Sequence, residues 1–228
     1  MIDPILGEPE FSRRSYSQSG EDIIVAYIFH SLGIKNIKYL DIGAYAPKSL
    51  SNTFYFYERG FSGLCVEANP LLANAIAKER PRDITLNFAI SSGEDGFLPF
   101  YIMSAPTLST LSLLEAERLQ AEEGVFIEST ENVKVLSINS LIKQYFPEKD
   151  LNFISLDVEG MDYLIMQSFD FAFIRPLVFC LETLEYKKHG EQRKIEKLIN
   201  LMTENGYLLY ADTQINSIFV DAKFWVSR

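Results

Sequence analysis

Apolar and polar positions alternate along this chain in two rhythms. Ile23, Ile24, Tyr27, Ile28 and Leu32 recur at helical spacing, and Gly33 ends the run. Ser19 and Asp22 stand before it at capping-box spacing, with Asp in place of the usual Glu or Gln. Residues 37–42 read as a short strand, and residues 49–59 as a helix that Gly60 closes. Residues 63–67 are a second strand. Asn69 and Pro70 mark a helix start, because Asn caps and Pro takes the first turn, where no donor is needed. That helix runs to about Arg80, and residues 84–90 read as a third strand.

The middle is less regular. Residues 97–103 alternate as a strand, residues 113–122 form a helix, residues 133–138 a strand and residues 140–146 a short helix. Regularity returns with a buried strand at 151–157, a helix at 160–169, a strand at 177–181 and a helix at 192–205 closed by Gly206. Strand–helix alternation of this kind predicts a mostly parallel sheet with helices on both faces. Residues 207–211 and 217–220 are two strands joined by only a short polar connection. Parallel neighbours need a long crossover, so these two form a C-terminal antiparallel hairpin.

A length of 228 residues suits one α/β domain. The reading is an N-terminal arm over 1–16 and a single domain over 17–228, with an irregular insert at about 92–135 that faces the acceptor. With 31 acidic and 21 basic residues the net charge is −10, which disfavours nucleic acid as a partner. Lys187-Lys188 and Arg193-Lys194 read as the solvated face of a helix. Cys65 and Cys180 sit in apolar runs and read as core residues. There is neither a leader pattern nor an apolar run of membrane length, so the expectation is a cytoplasmic protein without a membrane partner. The aromatic run Tyr55, Phe56 and Tyr57 either buries in the core or forms the face of a homodimer.

In open α/β sheets ligands bind beyond the carboxyl ends of the strands. Those ends carry polar residues here: Asp41 and Gly43, then Glu67, Ala68 and Asn69, then Asp157, Glu159 and Asp162, then Glu182. An acid ending the second strand suits a ribose diol. A pyrophosphate needs several glycines for close backbone approach, and "YLDIGAYAP" has one. S-adenosylmethionine, with a ribose but no phosphate, needs fewer. Asn52 is either a helix-start residue or a ligand contact. Asp157 and Glu159 read as functional, in contact with a cation or as a base for a hydroxyl, whereas Asp162 reads as a first-turn residue favoured by the helix dipole. His189 is the weakest candidate base.

Taken in order, "SQSGED", the block from Tyr39 to Pro70, "NFAIS" and "ISLDVEGMD" resemble the FkbM-type methyltransferases over residues 17 to about 221. The resemblance implies a class I methyltransferase fold, S-adenosylmethionine as methyl donor, and O-methylation of a sugar, glycan or natural-product hydroxyl. It implies that Asp41, Gly43 and Ala44 line the donor pocket, that Glu67 holds the ribose, and that Asn87 and Ala89 lie near the adenine. Asp157 and Glu159 then face the methionine end and the reaction centre. The candidate bases are Asp157 and Glu159, then Glu182, then His189. A divalent metal shared by the acids is the less favoured way to activate the hydroxyl. Thr107, Ser109 and Thr110 line the acceptor site or cap a helix. Two other readings compete: a nicotinamide-dependent oxidoreductase, against which the missing glycines count, and a non-catalytic binding module.

Overall fold

The computed structural model describes residues 13–186 and 192–227. Its elements, in chain order, are α1 (Glu21–Ser31), β1 (Tyr39–Ile42), α2 (Phe54–Glu58), β2 (Leu64–Val66), α3 (Pro70–Glu79), β3 (Ile84–Leu86), β4 (Ala89–Ser91) and β5 (Gly96–Met103). Then come α4 (Leu113–Glu122), β6 (Ile127–Ser137), α5 (Ile138–Tyr145), β7 (Phe153–Leu156), α6 (Asp162–Ser168), β8 (Val178–Glu182) and β9 (Leu184–Tyr186). The chain ends with β10 (Gln192–Lys194), α7 (Glu196–Glu204), β11 (Tyr207–Asp212), β12 (Asn216–Asp221) and α8 (Ala222–Val226).

Seven strands form the main sheet in the order β11-β12-β8-β7-β1-β2-β3. β8, β7, β1, β2 and β3 pair in parallel, and β12 is antiparallel to both β8 and β11. The expected parallel sheet and C-terminal antiparallel hairpin are both present. Strand periodicity of two divides the core between the faces. Leu40, Ile42, Ile154, Leu156, Phe179, Leu181 and Phe219 pack with Leu141, Ile165, Met166, Leu198 and Met202 of α5, α6 and α7. The alternate residues Tyr39, Phe153, Val178, Cys180, Ile218 and Val220 pack with Val25, Ile28 and Phe29 of α1 and with the aromatic run of α2. Phe54, Tyr55, Phe56 and Tyr57 are thus buried against their own sheet. Cys65 and Cys180 are buried thiols.

Several boundaries differ from expectation. The apolar run 84–90 is two strands: β3 extends the main sheet, while β4 pairs with β6 in a separate three-stranded sheet of order β4-β6-β5. Asn87 makes the break, donating its amide to the carbonyls of Glu67 and Ala68. The helix expected over 49–59 spans only Phe54–Glu58, because Ser51 Oγ accepts from the N–H groups of Thr53 and Phe54 and Leu50 has φ 58. β10 pairs with β9, so α7 begins four residues later than its periodicity suggests. β6 is far longer than the predicted strand, since β5 pairs with it along nearly its whole length. The Ser19–Asp22 box does not form. Gly20 is at the N-cap, and Asp22 instead accepts from Tyr16 N and the Ser15 and Ser17 hydroxyls. The N-terminal residues 1–12 and the Lys187-Lys188 pair lie outside the described residues. Among those described, no helix is long and apolar enough to cross a membrane.

Candidate active site

The carboxyl ends of β1, β2, β7 and β8 share one edge of the sheet. β12, running the other way, brings its first residue there, with Asn216 in register with Glu182. A cleft of about 340 Å³ opens over this edge, lined by Gly43, Asn52, Asp157, Glu159, Glu182 and Asn216, with Gln18 and Arg118 at its sides. A narrow arm of about 60 Å³ continues from Gly43 and Asp157 to Glu67, Ala68 and Ala89, roofed by Phe100 and Leu111 of the insert.

Gly43 is required by geometry. Its φ is +77, and a Cβ there would lie 1.8 Å from the Asp157 carbonyl oxygen. The β1 and β7 ends therefore close on each other, sealed by Asp157 N–H donating to the Ile42 carbonyl at 3.1 Å. Immediately beyond, Tyr45 has φ 53 and its N–H donates to Glu67 Oε2 at 2.8 Å. Asn69 N–H donates to Glu67 Oε1, also at 2.8 Å. Both oxygens are thereby aimed by backbone and keep a second lone pair. Burial outweighs these donors and pushes the Glu67 carboxyl up to about 7.

Four acids form the other half of the site. Burial raises Asp157 to about 6, partly offset by a hydrogen bond from the Glu182 carboxyl. Glu182 lies well above the carboxylate range, chiefly through burial and then through the Asp157 charge. Glu159 is raised well above it too, by burial and by Asp157 and Asp162. Asp157 Oδ1, buried, has no hydrogen-bond partner among the described residues. Asp162 takes the first turn of α6 and accepts from Val158 N–H. Glu159 sits with φ 52 before Gly160 at φ 93, a left-handed pair that aims its carboxyl into the cleft. The buried Thr110 hydroxyl donates to the Glu159 carbonyl at 3.0 Å.

The structure places Gly43, Asn52, Glu67, Ala68, Ala89, Asp157, Glu159 and Glu182 around one continuous space. Asn52 also donates to Ser155 Oγ. Asp41, Ala44 and Asn87 stand behind its wall. Asp41 accepts from Thr53 Oγ1 within a buried network around Arg80, which also bonds Asp83, Ser51 and Tyr39. Ala44 packs with Cys65 and Ile76. Asn87 spends its amide on backbone carbonyls. His189 lies outside the described residues.

Arg118, Tyr45, Gln18 and Asn216 escaped the sequence reading. Arg118 is held by Glu115 at 2.7 Å and by Glu123 at 3.1 Å. Gln18 and Asn216 come together because Glu21 accepts from Ser19 N–H, Thr213 Oγ1 and Asn216 Nδ2. "SQSGED" was a visible signal for Gln18, and "YLDIGAYAP" for Tyr45. Nothing local marks Arg118 or Asn216. Among the described residues no group of three or more His, Cys, Asp or Glu has the geometry to hold a metal ion.

Residues 41–209 match the family model of the methyltransferase FkbM domain. No curated protein matches the sequence. A solved structure described as a TehB-like SAM-dependent methyltransferase from Corynebacterium glutamicum is similar at 10% identity and a TM-score of 0.43, covering 89% of this chain and 87% of that one.

Proposed function

The chain belongs to the FkbM methyltransferase family, and on that premise we propose that it transfers a methyl group from S-adenosylmethionine to a hydroxyl of a sugar, glycan or natural-product acceptor. The observation that carries this reading is Glu67. Its carboxylate ends the second strand, is oriented by two backbone N–H groups, and opens into the arm beside apolar Ala68, Ala89 and Ile90. That is the acceptor a ribose diol requires, beside the apolar wall an adenine requires. Asp157 adds a buried acceptor atom without a partner among the described residues, suited to the ammonium of an amino-acid moiety.

When bound, S-adenosylmethionine supplies an electrophilic methyl on a cationic sulfonium. The residues of the chain do the rest. Asp157, ionised near neutral pH, balances positive charge in the cleft. Glu159 lines both the cleft and the arm, and takes the acceptor's proton at its carboxylate. Its raised affinity for protons falls when a cation sits beside it, so the base becomes available in the loaded site. Glu182, protonated and bonded to Asp157, positions that carboxylate. Alignment of the two reactants by these fixed groups supplies several kcal/mol of the barrier reduction.

Calorimetry with S-adenosylhomocysteine tests the reading, with NAD as the control ligand. Micromolar binding to the wild type that falls by ~100-fold or more in Glu67→Ala is expected, from loss of a charge-assisted pair of hydrogen bonds. A folded wild type that binds NAD, or neither ligand, rejects it.

A further inference from the structure

A second cavity, of about 640 Å³, shares Glu159 and Glu182 with the cleft. Glu182 is 7% exposed. Apart from the Asp157 carboxyl, no described group hydrogen-bonds its side chain. A buried carboxyl open to a cavity calls for a ligand hydroxyl. The mouth of the same cavity is built differently. Arg193 and Lys197 line it, and neither is paired with a carboxylate among the described residues. Lys197 Nζ rests 4.1 Å from the Tyr163 ring centroid. α7 starts there with no side-chain cap on its N-terminus, leaving unsatisfied N–H groups and the positive end of the helix dipole at the rim. Lys194 is already committed to Asp212 at 2.6 Å. The remaining carboxyls that line this cavity are Glu115, held by Arg118, Glu196, in the first turn of α7, and Asp162, which burial pushes well above the carboxylate range. In a chain of net charge −10, two cations with no carboxylate partner among the described residues at one cavity mouth are a selective feature.

We propose, resting on the donor reading above, that this cavity holds the methyl acceptor and that the acceptor is an anionic polyol. Its phosphate or carboxylate is held by Arg193, Lys197 and the N-terminus of α7, while a hydroxyl at the other end reaches Glu159 and Glu182. Guanidinium and uncapped N–H groups recognise either oxyanion, and the two are separated by experiment.

The test is calorimetry on protein saturated with S-adenosylhomocysteine, with matched probes: glucose 6-phosphate, glucuronate and glucose. At least one charged probe binds about ten-fold or more tightly than glucose, and the better of the two identifies the oxyanion. In the Arg193→Gln/Lys197→Gln double variant that preference disappears while S-adenosylhomocysteine affinity, the control for folding, is unchanged. Equal binding of glucose, no binding of any probe at millimolar concentration, or a preference that survives in the double variant overturns the proposal and leaves the donor reading standing. Failure of S-adenosylhomocysteine to bind the wild type overturns both.

Discussion

Gly43→Ala measures how much of the site depends on the closure of β1 on β7. The new Cβ would lie 1.8 Å from the Asp157 carbonyl oxygen and 2.9 Å from its carbon, far inside the ~3.5 Å of an ordinary contact. Both are backbone atoms, so no side chain can rotate away. The left-handed φ of +77 adds ~1–2 kcal/mol for any residue with a Cβ. Separation of the strand ends weakens the hydrogen bonds from Asp157 N–H to Ile42 and from Gly43 N–H to Val66, at about 1 kcal/mol each. The sum is about 3–4 kcal/mol, a large part of the 5–15 kcal/mol typical of a domain. Gly60→Ala is the matched control, with φ +93 and open space around the new methyl, so it carries only the ~1–2 kcal/mol backbone cost. Urea denaturation of the two variants, with S-adenosylhomocysteine affinity measured on each, isolates the clash. A Gly43→Ala midpoint no lower than that of Gly60→Ala would refute the claim that backbone approach, rather than φ alone, demands glycine here.

Three further outcomes are expected. Arg80 is fully buried and bonds Asp83, Ser51, Thr53 and Tyr39, so Arg80→Met strands two buried acids and costs about 3–5 kcal/mol in urea denaturation. A loss under 1 kcal/mol would contradict this, and Arg80→Lys does not rescue, lacking the planar fork. Burial raises Glu67 from 4.5 to about 7 and Asp157 from 3.8 to about 6. The folded state then holds more protons than the unfolded one between those values. This contribution is fully present below pH ~4 and is lost as pH rises through 6 and 7, amounting to about 3 kcal/mol for Glu67. Thermal melts of the ligand-free protein should show stability falling from pH 5 to 8, with a shallower slope in Glu67→Gln; a stability that rises over that range sinks the assignment. Thr110→Val removes the hydroxyl that holds the Glu159 carbonyl. It should lower kcat about ten-fold or more with little change in donor affinity, and Thr110→Ser should retain the rate. A rate retained in Thr110→Val and lost in Thr110→Ser would mean that Thr110 contributes only packing.

Local chemistry made much of the site legible. Glu67 and Asp157 are polar residues at the ends of apolar strands, and such ends meet at one edge of any parallel sheet. Asp41 shares that signature but stands behind the cleft wall. It faces the buried Arg80, and nothing near Asp41 in sequence announces an arginine 39 positions later. The structural part Asn87 plays was hidden for the same reason: its amide holds the chain where one apolar run leaves the main sheet for another. Arg118 and Asn216 reach the cleft only because the insert folds over it and β12 runs backwards into it.

The sequence alone determined the class of architecture. Hydrophobic period, helix stops and the short 212–216 connection are local properties, and local sterics settle them. It also determined which strand ends carry acids. The tertiary structure decided what those acids do. Whether a carboxyl is ionised, shares a proton or serves a buried network depends on how deeply it is covered and on which distant charges approach it, and both arise only when β1, β2, β7 and β8 are brought side by side. The single glycine of the first turn belongs to both levels. The sequence marks a tight turn, but only the Asp157 carbonyl pressing on Gly43 explains why no side chain can stand there.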